Sequence, residues 1–331
     1  MAYETRRSRR LRLEREQRRR NQRRVLSFFG ALVGLAAFAG IAIYIGRQDL
    51  NQQLGQTKSV DTEQVDDSSD EAVGDADDVD IAASSPDKGS VLAAALPDEL
   101  AGINARLGIT AQSGLADLPS QTATAVAVVD LSDRGYSNVM YNADTQFTSA
   151  STYKIFVAYA MIHDVETGRR TWSSSINGTT WDTCLSRMIV NSDNACPEAY
   201  LVSIGYSSFN EIVQSLGVSD QTVLHPYDMR TTAGDLAMVL QKLYRGELVS
   251  EENKNKLLDL MSQQIYRQGI PTGIGDSGVV YDKVGFLDGL LHDAAIVHTN
   301  AGDYVLVVMT NGESWSYIAE VTKYVDLMLS G

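Results

Sequence analysis

The feature that most restricts this chain is the run from Ile155 to Ile162, IFVAYAMI, apolar on nearly every side at helical spacing. A helix with no polar face belongs inside a sizeable domain rather than on its surface. Gly168 supplies a stop signal, and the run is entered through Ser151-Thr152-Tyr153-Lys154. Positions three apart share a helix face, so the Ser151 hydroxyl and Lys154 amine are expected side by side. Burial disfavours the charged form of a lysine, which makes Lys154 a candidate base. A serine hydroxyl is inert as a nucleophile until a neighbour takes its proton. Four residues with two fixed also recur by chance, so the surrounding chain has to decide.

Charge divides the chain unevenly. The net charge is −14, yet residues 1–24 carry eleven arginines against three glutamates. Val25 to Gly46 is an uninterrupted apolar run without a charge, long enough to span a bilayer. It exceeds the apolar core of a cleaved signal peptide. Arginine before it and acid after it predict a single-pass anchor in the cell membrane, amino terminus cytoplasmic and the remainder outside. Beside such a span the basic tail reads as a topology signal, and nucleic acid is not an expected partner. Residues 47–96 turn polar and then acidic, with VDTEQVDDSSDEAVGDADDVD lacking any basic or aromatic residue. Such a stretch buries too little apolar surface to fold and predicts a disordered, self-repelling tether.

Order is expected from residue 97 onward. PDELAGINARLG reads as a first amphipathic helix, Thr122–Asp130 as a buried strand, and Tyr136–Tyr141 as its hairpin partner. The Ser151 helix follows, then a stretch from Trp172 to about Gly217 that is helical with turns, and helices at Gly234–Leu243 and Glu251–Gln264. Three strands, Val279–Phe286, Ala294–Thr299 and Tyr304–Thr310, precede a final helix with an apolar stripe at Tyr317, Val321, Tyr324, Val325 and Met328. This order predicts an α+β fold: one antiparallel sheet built from both ends of the chain, with a helical subdomain between. Cys184 and Cys196 fall in the exported part, where a disulfide persists; a bridge between neighbouring helices and two buried thiols are both open. His163, His292 and His298 show no metal-ligand spacing, and no cofactor is implied.

Two further patterns follow Ser-x-x-Lys in order: Ser192-Asp193-Asn194 between helical stretches, and Lys283-Val284-Gly285 on the first late strand. Ser-x-x-Lys, Ser-Asp-Asn and Lys-Thr-Gly in that order mark class A β-lactamases and penicillin-binding proteins. Over residues 97–331 the chain resembles that family. YNADTQFTSAST, RTTAGDLAMVLQKL and GIPTGIGDSGVVYDKVGFLDG add to the likeness. The resemblance implies the β-lactamase/transpeptidase-like fold and assigns roles. Ser151 attacks an amide carbonyl, Lys154 accepts its proton, and Ser192 relays a proton to the departing nitrogen. Asn194 orients Lys154 and holds the substrate amide. Lys283 attracts a substrate carboxylate, Gly285 of the third motif binds substrate with Asn194 and Phe286, and the N–H groups of Ser151 and Phe286 form the oxyanion hole. The bland counterparts are a helix cap for Ser192 and Asn194 and an ordinary edge-strand lysine for Lys283.

Two departures bear on function. Val284 stands where the family has threonine, which removes one hydrogen bond to a substrate carboxylate. The interval from Gly217 to Arg230 contains no glutamate, whereas class A enzymes use one there to activate the deacylating water; Asp220, Asp228 and His225 are the only stand-ins. The expectation is a membrane-anchored, extracytoplasmic serine hydrolase forming an acyl-serine intermediate with β-lactams or D-alanyl-D-alanine peptides of the cell wall, and hydrolysing β-lactams slowly. The alternatives are a D,D-peptidase or penicillin-binding protein of cell-wall metabolism, and a non-catalytic surface binding module.

Overall fold

The structure, a computed structural model, describes residues 87–107, 124–226, 228–300 and 302–330. The expected basic tail, the membrane span at 25–46 and the linker up to residue 86 lie outside these residues. Among the described residues no helix is long and apolar enough to cross a membrane.

The first helix, α1 (Lys88–Leu107), opens well ahead of the expected start at Pro97, so residues 88–96 are helical rather than part of a linker. Pro97 suggested a boundary because it lacks an N–H and crowds the preceding turn. The stripe Leu92, Leu96, Leu100 and Ile103, at helical spacing and buried, carries the helix through it. Strands β1 (Thr124–Asp130) and β2 (Val139–Tyr141) follow, then the short β3 (Phe147–Thr148) and a 3-10 turn, Ala150–Tyr153. That turn leads into α2 (Lys154–Glu166), whose residues from Ile155 to Ile162 are buried except Tyr159. The stretch expected to be helical opens with a small hairpin, β4 (Ser175–Ile176) and β5 (Thr179–Thr180). It continues as α3 (Trp181–Val190), α4 (Ala195–Ile204) and α5 (Tyr206–Gln214). Cys184 and Cys196 join α3 to α4 through a disulfide.

The interval from Gly217 to Arg230 folds as β6 (Val223–His225) and β7 (Asp228–Thr231), with β7 also pairing β3. Helices α6 (Ala233–Tyr244), α7 (Glu251–Ser262) and the short α8 (Ile270–Ile274) complete the helical part. Strands β8 (Gly278–Leu287), β9 (Leu290–Thr299) and β10 (Gly302–Asn311) and helix α9 (Trp315–Ser330) close the chain. Asp288 and Gly289, both at positive φ, turn β8 into β9, the two-residue hairpin such a pair favours.

The main sheet has the order β2-β1-β10-β9-β8, every neighbour antiparallel, so the two ends of the chain meet at β1 and β10. β1 is buried on both faces. Ala125, Ala127 and Val129 face the helical layer around α2, while Val126 and Val128 face α1 and α9. Helices thus cover both faces, which explains why β1 reads as continuously apolar rather than alternating. The edge strand β8 borders the cleft that holds the three motifs.

Candidate active site

The nucleophile turn is fixed from several sides before the α2 helix begins. The Ser149 amide donates to the Met229 carbonyl at 2.7 Å. His292, fully buried on β9, accepts from the Thr310 amide at Nδ1 (3.1 Å), so its Nε2–H donates to the Thr148 carbonyl at 2.9 Å. Burial pushes its imidazole down to about 4, which keeps that tautomer neutral. Gly285 is the other constraint: a Cβ there would sit 2.9 Å from the Ser149 carbonyl oxygen and 2.9 Å from the Ser151 nitrogen. Only glycine lets β8 come that close to the nucleophile turn.

The three motifs converge. Lys154, with no exposed surface, places Nζ 3.0 Å from Ser151 Oγ, 2.6 Å from the Ser192 carbonyl oxygen, 2.7 Å from Asn194 Oδ1 and 3.3 Å from Ser192 Oγ. The two shortest contacts are to pure acceptors. A neutral amine has two N–H donors for them and one lone pair, which leaves the lone pair for the Ser151 proton. Burial pushes the Lys154 ammonium down to about 8, against the opposing charges of Asp193 and Glu198. Lys283, equally enclosed, donates to Ser192 Oγ at 2.9 Å and to the Val284 carbonyl at 2.7 Å. Burial and the charge of Lys154 push it down to about 7, while Asp282 and Asp293 pull it back up. Ser192 Oγ therefore bridges two lysines that between them titrate around neutral pH.

The Ser-Asp-Asn loop shows how its residues divide the work. Asp193 Oδ1 accepts from the Cys196 amide at 3.1 Å, the hydrogen bond expected of a cap, while Asn194 makes no side-chain cap bond. Asn194 is thereby released to hold Lys154. Ser192 has φ of 56°, the left-handed region that L-residues rarely adopt. That backbone turns its carbonyl onto Lys154, so strain is held where the chemistry is.

A cleft of about 540 Å³ opens beside Ser151, lined by Thr148, Tyr153, Asn194, Tyr206, Met229 and Phe286 among others. Phe286, 42% exposed, stands edge-on to Tyr266 and Trp315 at 5.1 and 6.4 Å between ring centres. The structure thus brings together Ser151, Lys154, Ser192, Asn194 and Lys283, with Gly285 and Phe286 at the cleft's β8 side. Val284, the residue expected to withhold a hydrogen bond from a bound carboxylate, has no exposed surface at all.

The proposed stand-ins for a loop glutamate are corrected. Among the described residues none of the three lines the cleft, although Pro226 and Met229 of the same interval do: Asp228 pairs with Arg230 at 2.7 Å, and Asp220 and His225 are exposed. Among the described residues the carboxylate that does line it is Glu198, one helical turn beyond Asn194 on α4. Reading only the loop for an acid missed it; the i, i+4 spacing after Ser-Asp-Asn is the signal that could have found it.

Residues 113–325 match the model of the beta-lactamase enzyme family. The chain belongs to that family. No curated protein matches the chain. Among solved structures, PBP-A is similar over 70% of this chain and 95% of its own, with 21% identity and a TM-score of 0.59. A beta-lactamase from Sphaerobacter thermophilus is similar over 72% of this chain and 97% of its own, at 21% identity and a TM-score of 0.60. One from Chitinophaga pinensis gives 16% identity, 70% and 97% coverage and a TM-score of 0.58. At these identities the likeness is one of fold, and it agrees with the α+β architecture expected from the sequence.

Proposed function

We propose that this chain is a serine hydrolase working through an acyl-serine intermediate, with β-lactams or D-alanyl-D-alanine peptides as substrates. The observation that carries the reading is Lys154: two acceptors occupy its N–H donors and Ser151 Oγ lies 3.0 Å away. In the first step Ser151 gives its proton to Lys154 as Oγ bonds to the amide carbon. The C–N bond then breaks, and Ser192 passes a proton from Lys154 to the departing nitrogen. A carboxylate arriving beside Lys283 favours an ammonium there and draws the proton that the two lysines share off Lys154. Substrate binding then primes the base. Donors aimed at the developing oxyanion, the N–H groups of Ser151 and Phe286 in this reading, supply the remaining stabilisation. A mutant of PBP-A forms an acyl-enzyme complex with penicillin G, which makes a penicillin the natural first probe.

The same reading attaches the domain to the cell membrane through residues 25–46, amino terminus inside, with residues 47–86 as an acidic tether that holds the domain outside. The test is to label the full chain, in detergent, with a fluorescent penicillin, beside Ser151→Ala. A covalent label in the wild type that the variant lacks supports the proposal. Equal labelling of both, or none in either, contradicts it.

A further inference from the structure

Hydrolysing an acyl-serine needs a second base event, because the acylated Ser151 has no proton left and the attacking water must lose one. Among the described residues the interval 217–230 lines the cleft with Pro226 and Met229 but with neither of its acids: Asp228 is paired with Arg230, and Asp220 is exposed. Among the described residues, Glu198 is the one carboxylate lining the cleft that holds Ser151. It sits on α4, where its amide donates to the Asn194 carbonyl at 3.1 Å. One turn of helix therefore ties it to the residue whose side chain grips Lys154. Its negative charge is felt by both Lys154 and Tyr153, which flank the nucleophile. Its carboxylate has no hydrogen-bond or ion-pair partner among the described residues, and its side chain is exposed to the cleft's water. A carboxylate committed to structure would be paired; this one is open to a water molecule.

We propose that Glu198, from helix α4 rather than from the 217–230 loop, is the general base that frees the acyl-enzyme. The inference rests on the acyl-serine reading above. The water oxygen bonds to the acyl carbon while its proton passes to the Glu198 carboxylate. The tetrahedral species then breaks its bond to Ser151 Oγ. The electron pair on Oγ takes up a proton relayed from Glu198 through Lys154. The acid product leaves, and serine, lysine and carboxylate return to their starting states. Acylation and deacylation thereby use different bases, Lys154 for the first and Glu198 for the second.

The test is a pulse of fluorescent penicillin on the full chain, followed by an excess of unlabelled penicillin, for the wild type, Glu198→Gln and Glu198→Asp. Gln keeps the shape and removes the basicity at an exposed position, so folding is not at stake. The expected result is that Glu198→Gln still takes up the label on Ser151 but releases it about 10²-fold more slowly or worse. Glu198→Asp should fall between the two. Release from Glu198→Gln at the wild-type rate would overturn the inference and leave the acyl-serine reading intact. So would a wild-type label that never leaves. Absence of any Ser151-dependent label would overturn both.

Discussion

Strand β8 carries buried charge on both of its faces, and the two clusters are built differently. On the cleft side Lys283 meets Ser192 and, through it, Lys154; every nitrogen there has at least two partners within hydrogen-bonding distance. On the opposite side lie Asp282 and Asp293, fully buried, diagonal to one another across the β8–β9 pairing. Asp282 Oδ1 accepts from Arg267 at 2.7 Å and Asp293 Oδ2 from the Ile270 amide at 2.8 Å, but each keeps one buried oxygen with no partner. Burial holds both carboxyls above the usual range, Asp282 further because of its neighbour Asp293. The cleft cluster is satisfied and poised, whereas the rear cluster is under-satisfied and supplies field. The rear acids support the Lys283 charge that desolvation and Lys154 oppose. A lysine so enclosed would otherwise shed its proton.

The largest effect expected on the cleft side comes from removing the base. Lys154→Met should cut the rate of acylation by a fluorescent penicillin about 10³-fold, with folding unchanged by circular dichroism. On the rear face, Arg267→Ala leaves Asp282 without its cation. The loss should be about 3 kcal/mol, the low end for a buried pair because Arg267 is 38% exposed. The pH dependence has a fixed sign. A carboxyl whose pKa is raised on folding binds a proton that the unfolded chain releases, so its contribution falls as pH rises. Urea denaturation should therefore show a greater loss at pH 8 than at pH 5; an equal loss at both would remove Asp282 from the account.

A smaller effect tests the brace of the cleft side. The disulfide closes the loop carrying Ser192, Asp193 and Asn194 with a separation of 12 residues. Replacing Cys184 and Cys196 by serine should lower stability by about 2–3 kcal/mol in the same assay. The smallest joins the two faces. Asp282→Asn removes an acid that raises the proton affinity of Lys283, so that lysine should lose its proton at lower pH. Acylation at pH 7.5 should then weaken about tenfold for each unit of that downward movement. An unchanged pH profile would mean that the rear acids act on packing alone.

The same contrast separates what could be read in the sequence from what could not. Ser151 and Lys154 were legible because one helical turn brings them together, and the Ser-Asp-Asn and Lys-Val-Gly runs are equally local. The sheet from both chain ends was legible through its apolar runs, although β8, β9 and β10 are longer than those runs suggest. The start of α1 was hidden by Pro97, whose usual effect on helices the apolar stripe overrode. Glu198 was overlooked because an acid was sought in a loop. The rear pair depended on register: Asp282 and Asp293 meet only because the Asp288-Gly289 turn sets Val284 opposite Asp293. His292, with no patterned neighbour, could be assigned no task until β9 was seen to pass beneath Thr148.

The central claim is that Lys154 takes the Ser151 proton once a bound carboxylate has drawn the shared proton to Lys283, and the pH dependence of acylation tests it most directly. The second-order rate of labelling by a fluorescent penicillin would be followed from pH 5 to pH 10. Below about 7 both lysines are protonated and no base is free. Between about 7 and about 8 one proton remains, held mainly by Lys154 until an arriving carboxylate draws it to Lys283. Above about 8 both are neutral and the carboxylate loses its partner. The account predicts a bell with its maximum between those values, whose alkaline limb disappears in Lys283→Met. A rate independent of pH across that range, or a bell unchanged in Lys283→Met, would contradict it.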